Sequence, residues 1–269
     1  MVISAKDVMA LRQRTGLGMM DCKKALNESN GDIEAAIESL RKKLKGKMDE
    51  RTDRAAAEGL VAVARAADNS AIAMIELNSE TDFVSRSDDF VAATKKIAQL
   101  VLDSDVVGDA PVTPAITAIT DDLRIKIQEN ISYARGVRLV GAKLGSYVHH
   151  NGKLGVVIMG EGDLADDLLT GLCQHVAASV PTPVAVDEAA LPAADIAKVK
   201  ADAIEEAQAS GKPAEIAEKM ATGKLRKWVD DHTLLGQIYV RELENKTKVK
   251  DALPKGAKVT RFVRYAVGA

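Results

Sequence analysis

Two stretches of this chain share one pattern, and that pattern limits the folds open to it. The first holds the runs Leu60-Val61-Ala62-Val63 and Ile72-Ala73-Met74-Ile75-Glu76-Leu77, set about the polar turn Asp68-Asn69-Ser70. Two β-type runs flanking a polar turn predict a hairpin. A helix is expected next, with Phe90, Val91, Ile97, Ala98 and Val101 on one face. The second stretch comes about 80 residues later. It runs from Leu144 to Met159 with Asn151-Gly152 at its turn. Asn-Gly suits a type I′ turn, whose two central residues take positive φ. A helix over 165–179 follows, carrying Leu168, Leu169, Leu172, Val176 and Ala177. The halves share little sequence, but the recurrence of hairpin then helix predicts two similar α+β subdomains.

Other segments flank or interrupt this pair. Residues 1–47 read as three short helices. Ser4 and Asp7 form a variant capping box, in which each satisfies an orphan backbone donor. Ala5, Val8, Met9 and Leu11 make the first apolar stripe, and Thr15-Gly16-Leu17-Gly18 breaks it. Cys22, Ala25 and Leu26 mark the second helix. Asn30-Gly31 turns the chain, Asp32 caps the third helix, and Ile33, Ala36, Ile37, Leu40 and Leu44 recur along it. Residues 48–57 read as helix or linker. Within 184–228, Ile196, Val199, Ala203 and Ala207 recur at nearly 3.5 residues, as in a coiled-coil seam. Ser210-Gly211-Lys212-Pro213 reverses the chain, and Ile216 and Met220 continue the stripe, giving an inserted antiparallel helical hairpin. A short helix near 248–253 and a strand over 258–267 complete the second subdomain. The expected divisions are 1–54 for the N-terminal module and 55–140 for the first core subdomain. The second takes 141–180 with 229–269, and the insertion takes 181–228.

Composition excludes several classes of function. The chain has 269 residues with a formal net charge of −2, so nothing draws it globally to nucleic acid or an anionic membrane. No apolar run reaches the roughly 20 residues that span a bilayer, and the first residues lack the pattern of a signal peptide. Two isolated cysteines, Cys22 and Cys173, suit a reducing compartment, so a cytoplasmic protein is expected. Cys173 and His175 stand two apart on a helix and point away from each other. Adjacent His149 and His150, read as strand residues, face opposite ways. With no HExxH, CxxC, GxSxG or phosphate-loop motif, the chain is expected to work by binding, with no catalytic residue, metal or cofactor.

Three features invite a binding role, each with a plainer reading. Phe83 sits in the polar loop Glu80-Thr81-Asp82-Phe83-Val84, in a chain with only three Phe, one Trp and four Tyr. Loops commonly fold one apolar residue inward, but a ring set outward is a wedge for a partner. Leu17, Met19 and Met20 beside a glycine turn are either core or a flexible docking patch. The basic run 41–47 is either a solvated helix end or an RNA contact.

The run Leu11-Arg12-Gln13-Arg14-Thr15-Gly16-Leu17-Gly18-Met19-Met20-Asp21-Cys22-Lys23-Lys24-Ala25-Leu26 resembles the N-terminal signature of bacterial elongation factor Ts. Glu76 to Val84 is similar to that family's second signature. Tyr147-Val148-His149, Gln174-His175-Val176-Ala177-Ala178, Gly211-Lys212-Pro213 and Arg261-Phe262-Val263-Arg264-Tyr265 match in family order. The resemblance implies a UBA-like N-terminal module and an exchange factor for elongation factor Tu, binding it GDP-loaded or nucleotide-free. It implies that Thr81, Asp82, Phe83 and Val84 enter near the partner's magnesium, with Asp82 and Phe83 as the wedge. Leu11, Met19, Met20, His149 and His175 are implied as docking contacts. The helical insertion suits either a single pair with Tu or a dimer of pairs. The chain departs from the family pattern at Gln128, where Gly is usual, at Ala134-Arg135, where an Arg pair is common, and at Gly236. A nucleic-acid- or ribosome-binding module led by residues 41–47, or a hydrolase built on the histidines, is the competing class.

Overall fold

The computed structural model describes residues 3–49, 54–209 and 214–269. Their architecture is α+β. The chain forms two compact units. The first takes the described residues of Met1–Ala64, Ala73–Val137 and Ala266–Ala269, and the second takes Arg65–Ile72 and Arg138–Tyr265.

In the first unit the N-terminal helices are α1 (Ala5–Thr15), α2 (Met19–Glu28) and α3 (Ile33–Asp49). The Ser4 hydroxyl accepts from the Asp7 N–H, and the Asp7 carboxylate accepts from the Ser4 N–H, each at 3.2 Å. The expected capping box is therefore complete. Gly16 ends α1 at φ 71°, where its N–H reaches the Arg12 carbonyl at 2.7 Å. The Asp32 carboxylate caps α3 by accepting from the Ala35 N–H at 3.1 Å. Val8, Leu11, Leu17, Cys22, Ala25, Leu26, Ala36 and Leu40 close one apolar cluster, joined by Ile125 of α6 (Pro114–Ile127). Of the stretch read as helix or linker, α3 continues through Asp49 and residues 54–57 are irregular.

The four-stranded sheet has the order β1-β2-β4-β3, from β1 (Glu58–Arg65), β2 (Ala71–Ser79), β3 (Gly108–Asp109) and β4 (Ser132–Val140). Its first hairpin is the one the sequence predicts. Residues 71–77 of β2 are all buried, so both faces of the strand are covered. Glu76 is among them. Arg135 answers its charge, Nε to carboxylate at 2.8 Å, and also donates to the Ala266 carbonyl at 3.0 Å. The helix α5 (Asp88–Leu102) buries Phe90, Ala93, Ile97, Ala98 and Val101 and packs on α6. Gln128 ends α6 at φ 65°. That left-handed backbone costs a residue with a Cβ about 1–2 kcal/mol, a cost that glycine avoids.

The second unit holds the sheet β5-β6-β7, from β5 (Lys143–Val148), β6 (Leu154–Glu161) and β7 (Lys258–Ala266). The expected final strand is therefore present, and α7 (Asp166–Ala178) packs on β5 and β6. The Asn151-Gly152 expectation needs correction. Pairing ends at Val148↔Gly155, and the His149 N–H reaches the Leu154 carbonyl at 2.8 Å. Gly152 takes φ 72°, but Asn151 does not take positive φ. The Gly152 N–H closes on the His149 carbonyl at 2.8 Å. The connection is thus a longer loop, a class usually built on a type I turn.

The helices α8 (Ala193–Ala209) and α9 (Ala214–His232) pack on each other, and Glu206 pairs with Lys224. Ala203 and Ala207 are buried as expected. On α9 the buried stripe is Ala217 and Ala221, one residue on from Ile216 and Met220, and Ile216 is exposed. The small alanines let the helices approach closely, so they displace the larger apolar residues from the seam. The expected turn at 210–213 lies outside the described residues. Near the end come α10 (Val249–Ala252) and then β7.

Candidate partner-docking site

The turn after β2 is built from short-range hydrogen bonds and one long-range anchor. The Thr81 hydroxyl caps α4 (Asp82–Ser85) by accepting from the Val84 N–H at 3.4 Å. Ser85 Oγ donates to the Asp82 carbonyl at 3.0 Å, and Ser87 Oγ donates to the Val84 carbonyl at 2.8 Å. Ser87 also starts α5 by accepting from the Phe90 N–H. The anchor comes from Glu129, just past the end of α6. Its carboxylate accepts from the Thr81 N–H at 3.1 Å and from the Thr81 hydroxyl at 2.7 Å. In the reverse direction, Glu80 accepts from the Asn130 N–H at 2.7 Å and from Arg54 at 3.3 Å. The buried Asn130 side chain then donates to the Arg54 carbonyl at 2.7 Å.

On this turn Phe83 is 84% exposed. The inward reading of its ring is therefore excluded. Phe90, seven residues on, fills the core instead. Val84 is half-buried, and Asp82 pairs with Arg86 at 3.0 Å on the surface, an arrangement worth little stability.

Met19 and Met20 open α2 with 47% and 75% exposure, and Met9 on α1 is also exposed. Leu17 is buried. Leu11 is fully buried within the three-helix cluster, so its side chain presents nothing to a partner in the free chain. The helical period set Leu11 on the stripe that closes the core.

In the second unit His149 lies in the loop after β5, half-buried. Tyr147 OH and His149 Nδ1 are 2.8 Å apart, and the ring packs on His150 at a centroid distance of 4.2 Å. The two rings do not face opposite ways, because the strand has already ended at Val148. His175, implied as a docking contact, is buried in the free chain. Val240 donates its N–H to Nδ1 at 3.2 Å, so the ring proton sits on Nε2 and reaches Gln237 Oε1 at 3.0 Å. Gln237 in turn donates to the Pro181 and Asp231 carbonyls. The preceding residue is Gly236, where a Cβ would stand 2.6 Å from Asp230 Cα.

Burial lowers the His175 pKa from its ordinary value of 6.5, and the Gln237 hydrogen bond partly opposes the shift. The unfolded chain takes up a proton as pH falls through 6.5, while the folded chain resists until lower pH. Stability contributed by this neutral ring is therefore present above that pH and lost below it. Unfolding free energies at about pH 7.5 and about pH 5.5 are expected to show this fall, and His175→Gln is expected to flatten it. An unchanged slope in the variant excludes His175 as the source.

Burial pushes the Cys173 thiol up to about 12, which keeps it protonated and unreactive near neutrality. Among the described residues no group of three or more His, Cys, Asp and Glu is placed to hold a metal ion, and no helix is long and apolar enough to cross a membrane. In the basic run, Arg41 pairs with Asp122 at 3.4 Å and Lys45 with Asp121 at 2.8 Å.

The family model described as Elongation factor TS matches residues 80–269. The elongation factor Ts of Alkalilimnicola ehrlichii is 43% identical, over 100% of this chain and 93% of the relative. The chain belongs to the elongation factor Ts family. Those of Halorhodospira halophila and Nitratiruptor sp. are 40% and 39% identical, again over 100% of this chain and over 93% and 94% of theirs. Membership in the elongation factor Ts family gives the chain a role in the elongation stage of protein synthesis. Glu129 and Asn130 carry no local motif that marks them as part of the site. Their one signal is that they follow Gln128, a position where the chain departs from the family pattern.

Proposed function

We propose that this chain is a guanine-nucleotide exchange factor for elongation factor Tu, acting by binding rather than by covalent chemistry. The observation that carries the proposal is Phe83, an exposed ring on a short turn held by hydrogen bonds. Family membership supplies the class of partner. In this reading α1–α3 form a UBA-like docking module, Met19 and Met20 belong to its contact surface, and His149 adds a contact from the second unit. Leu11 and His175 serve from within, by holding those surfaces in shape. The expected divisions stand as part of the same proposal, with α8–α9 as the inserted antiparallel hairpin. The working place is the cytoplasm.

A nucleotide held by a GTPase depends on magnesium to neutralise its phosphates. Phe83 wedges into the partner beside that ion and Asp82 adds an anionic contact, so metal and diphosphate loosen together. The coupling is reciprocal: bound nucleotide weakens the factor by the ratio in which the factor weakens the nucleotide. GTP therefore displaces the factor and completes the cycle. An RNA-binding role is disfavoured by the ion pairs of Arg41 and Lys45 with α6. The direct test is stopped-flow release of a fluorescent GDP from elongation factor Tu. Release is expected to accelerate with added chain to a plateau, and a rate independent of the chain overturns the proposal.

A further inference from the structure

We infer that Glu129 is a positioning residue for the Phe83 turn, and that Glu80 and Glu129 together form a crossed carboxylate clamp. The inference rests on the exchange reading above. The two acidic residues each reach the backbone of the other's neighbour: Glu129 takes the Thr81 N–H, and Glu80 takes the Asn130 N–H. This exchange ties the end of β2 to the end of α6 across 48 to 50 residues of sequence.

The Thr81 hydroxyl has one proton to give, and the 2.7 Å bond gives it to Glu129. Its lone pairs are then directed to the Val84 N–H, the bond that starts α4. An ionised acceptor roughly doubles the strength of such a bond and polarises the bonds linked to it. One carboxylate thereby fixes the residue before Asp82 and, through it, the residue after Phe83. Phe83 itself has almost no packing to hold it, being 84% exposed. Its direction is set by the turn beneath it. A helix of four residues is far too short to be stable alone, so the clamp supplies the order that the segment lacks. A turn ordered in advance does not lose that entropy when it enters a partner.

The docking surface on α2 is separate from this turn in sequence and does not use Glu129. Loss of the clamp is therefore expected in the displacement step and not in initial docking. For Glu129→Ala, the saturating rate of fluorescent GDP release is expected to fall about tenfold, equivalent to about 1.4 kcal/mol. The half-saturating concentration is expected to stay within about twofold of wild type, a shift below about 0.5 kcal/mol. Glu129→Gln keeps one acceptor oxygen and is expected to fall between. The double variant Glu129→Ala/Phe83→Ala is expected to be no slower than Phe83→Ala alone, since residues acting through one another are not additive. Additive losses indicate general damage and overturn the inference, as does a wild-type rate for Glu129→Ala beside a slow Phe83→Ala. Wild-type rates in both single variants overturn the wedge reading on which the inference rests. Thermal midpoints of the four variants and the wild type establish that the folded chains are being compared.

Discussion

Phe83→Ala is expected to leave the fold intact and to cut stimulated GDP release by about 30-fold, the equivalent of about 2 kcal/mol. The size follows from what aromatic anchors contribute when they enter a partner pocket, about 2 kcal/mol or more at the centre of an interface. The selectivity follows from exposure. With 84% of its surface in solvent, the ring contributes almost nothing to the chain's own core. Surface truncations of this kind change stability by less than about 0.5 kcal/mol. Stopped-flow release together with a thermal midpoint checks both parts. Full stimulation by the folded variant removes the wedge role, and a large loss of stability shows that the ring packs after all.

Leu11→Ala reverses that profile. Leu11 is fully buried among Val8, Leu17, Cys22, Leu26 and Leu40. Truncating such a residue costs about 2–5 kcal/mol, through lost burial and the cavity left behind. A module of three short helices has little stability to spare. Amide protection in α1, α2 and α3 is expected to collapse, and exchange activity is expected to fall with it because the docking surface is gone. Met20→Ala, at an exposed position of the same module, is expected to keep protection while weakening docking. Hydrogen exchange on the two variants separates the cases. Native protection in Leu11→Ala contradicts the burial argument.

The sequence exposed the features whose causes are local. The Ser4–Asp7 cap, the hairpin about Asp68-Asn69-Ser70 and the final strand are each set by neighbouring residues, and each is present. Helical spacing placed Phe90 on a buried face, while residue type alone left Phe83 open. The two rings lie in similar Ser- and Asp-rich surroundings, and their fates differ because Phe90 enters a helix long enough to have a buried face. Adjacent residues on α9 had the same ambiguity. Ile216 is the more apolar of the pair, but Ala217 takes the seam because its small side chain permits closer packing. Of the proposed site, only the tip has a local sequence pattern. Asp82 and Phe83 stand in a recognisable run, while Glu129 reaches Thr81 from 48 residues away and has no local pattern. His149 and His150 were read as strand neighbours, since nothing in their types shows that the strand stops one residue earlier.

Arg135 ties a strand made midway through synthesis to one of the last residues made. It answers the buried charge of Glu76 and also holds the carbonyl of Ala266, 131 residues later in the chain. The first unit includes Ala266–Ala269, so it stays incomplete while the ribosome makes nearly all of the second. At about 5–20 residues per second that interval lasts roughly ten seconds. Proteins built of successive domains usually finish the first before the next emerges. Here the first unit takes its last four residues from the far end of the chain, after the second has been synthesised.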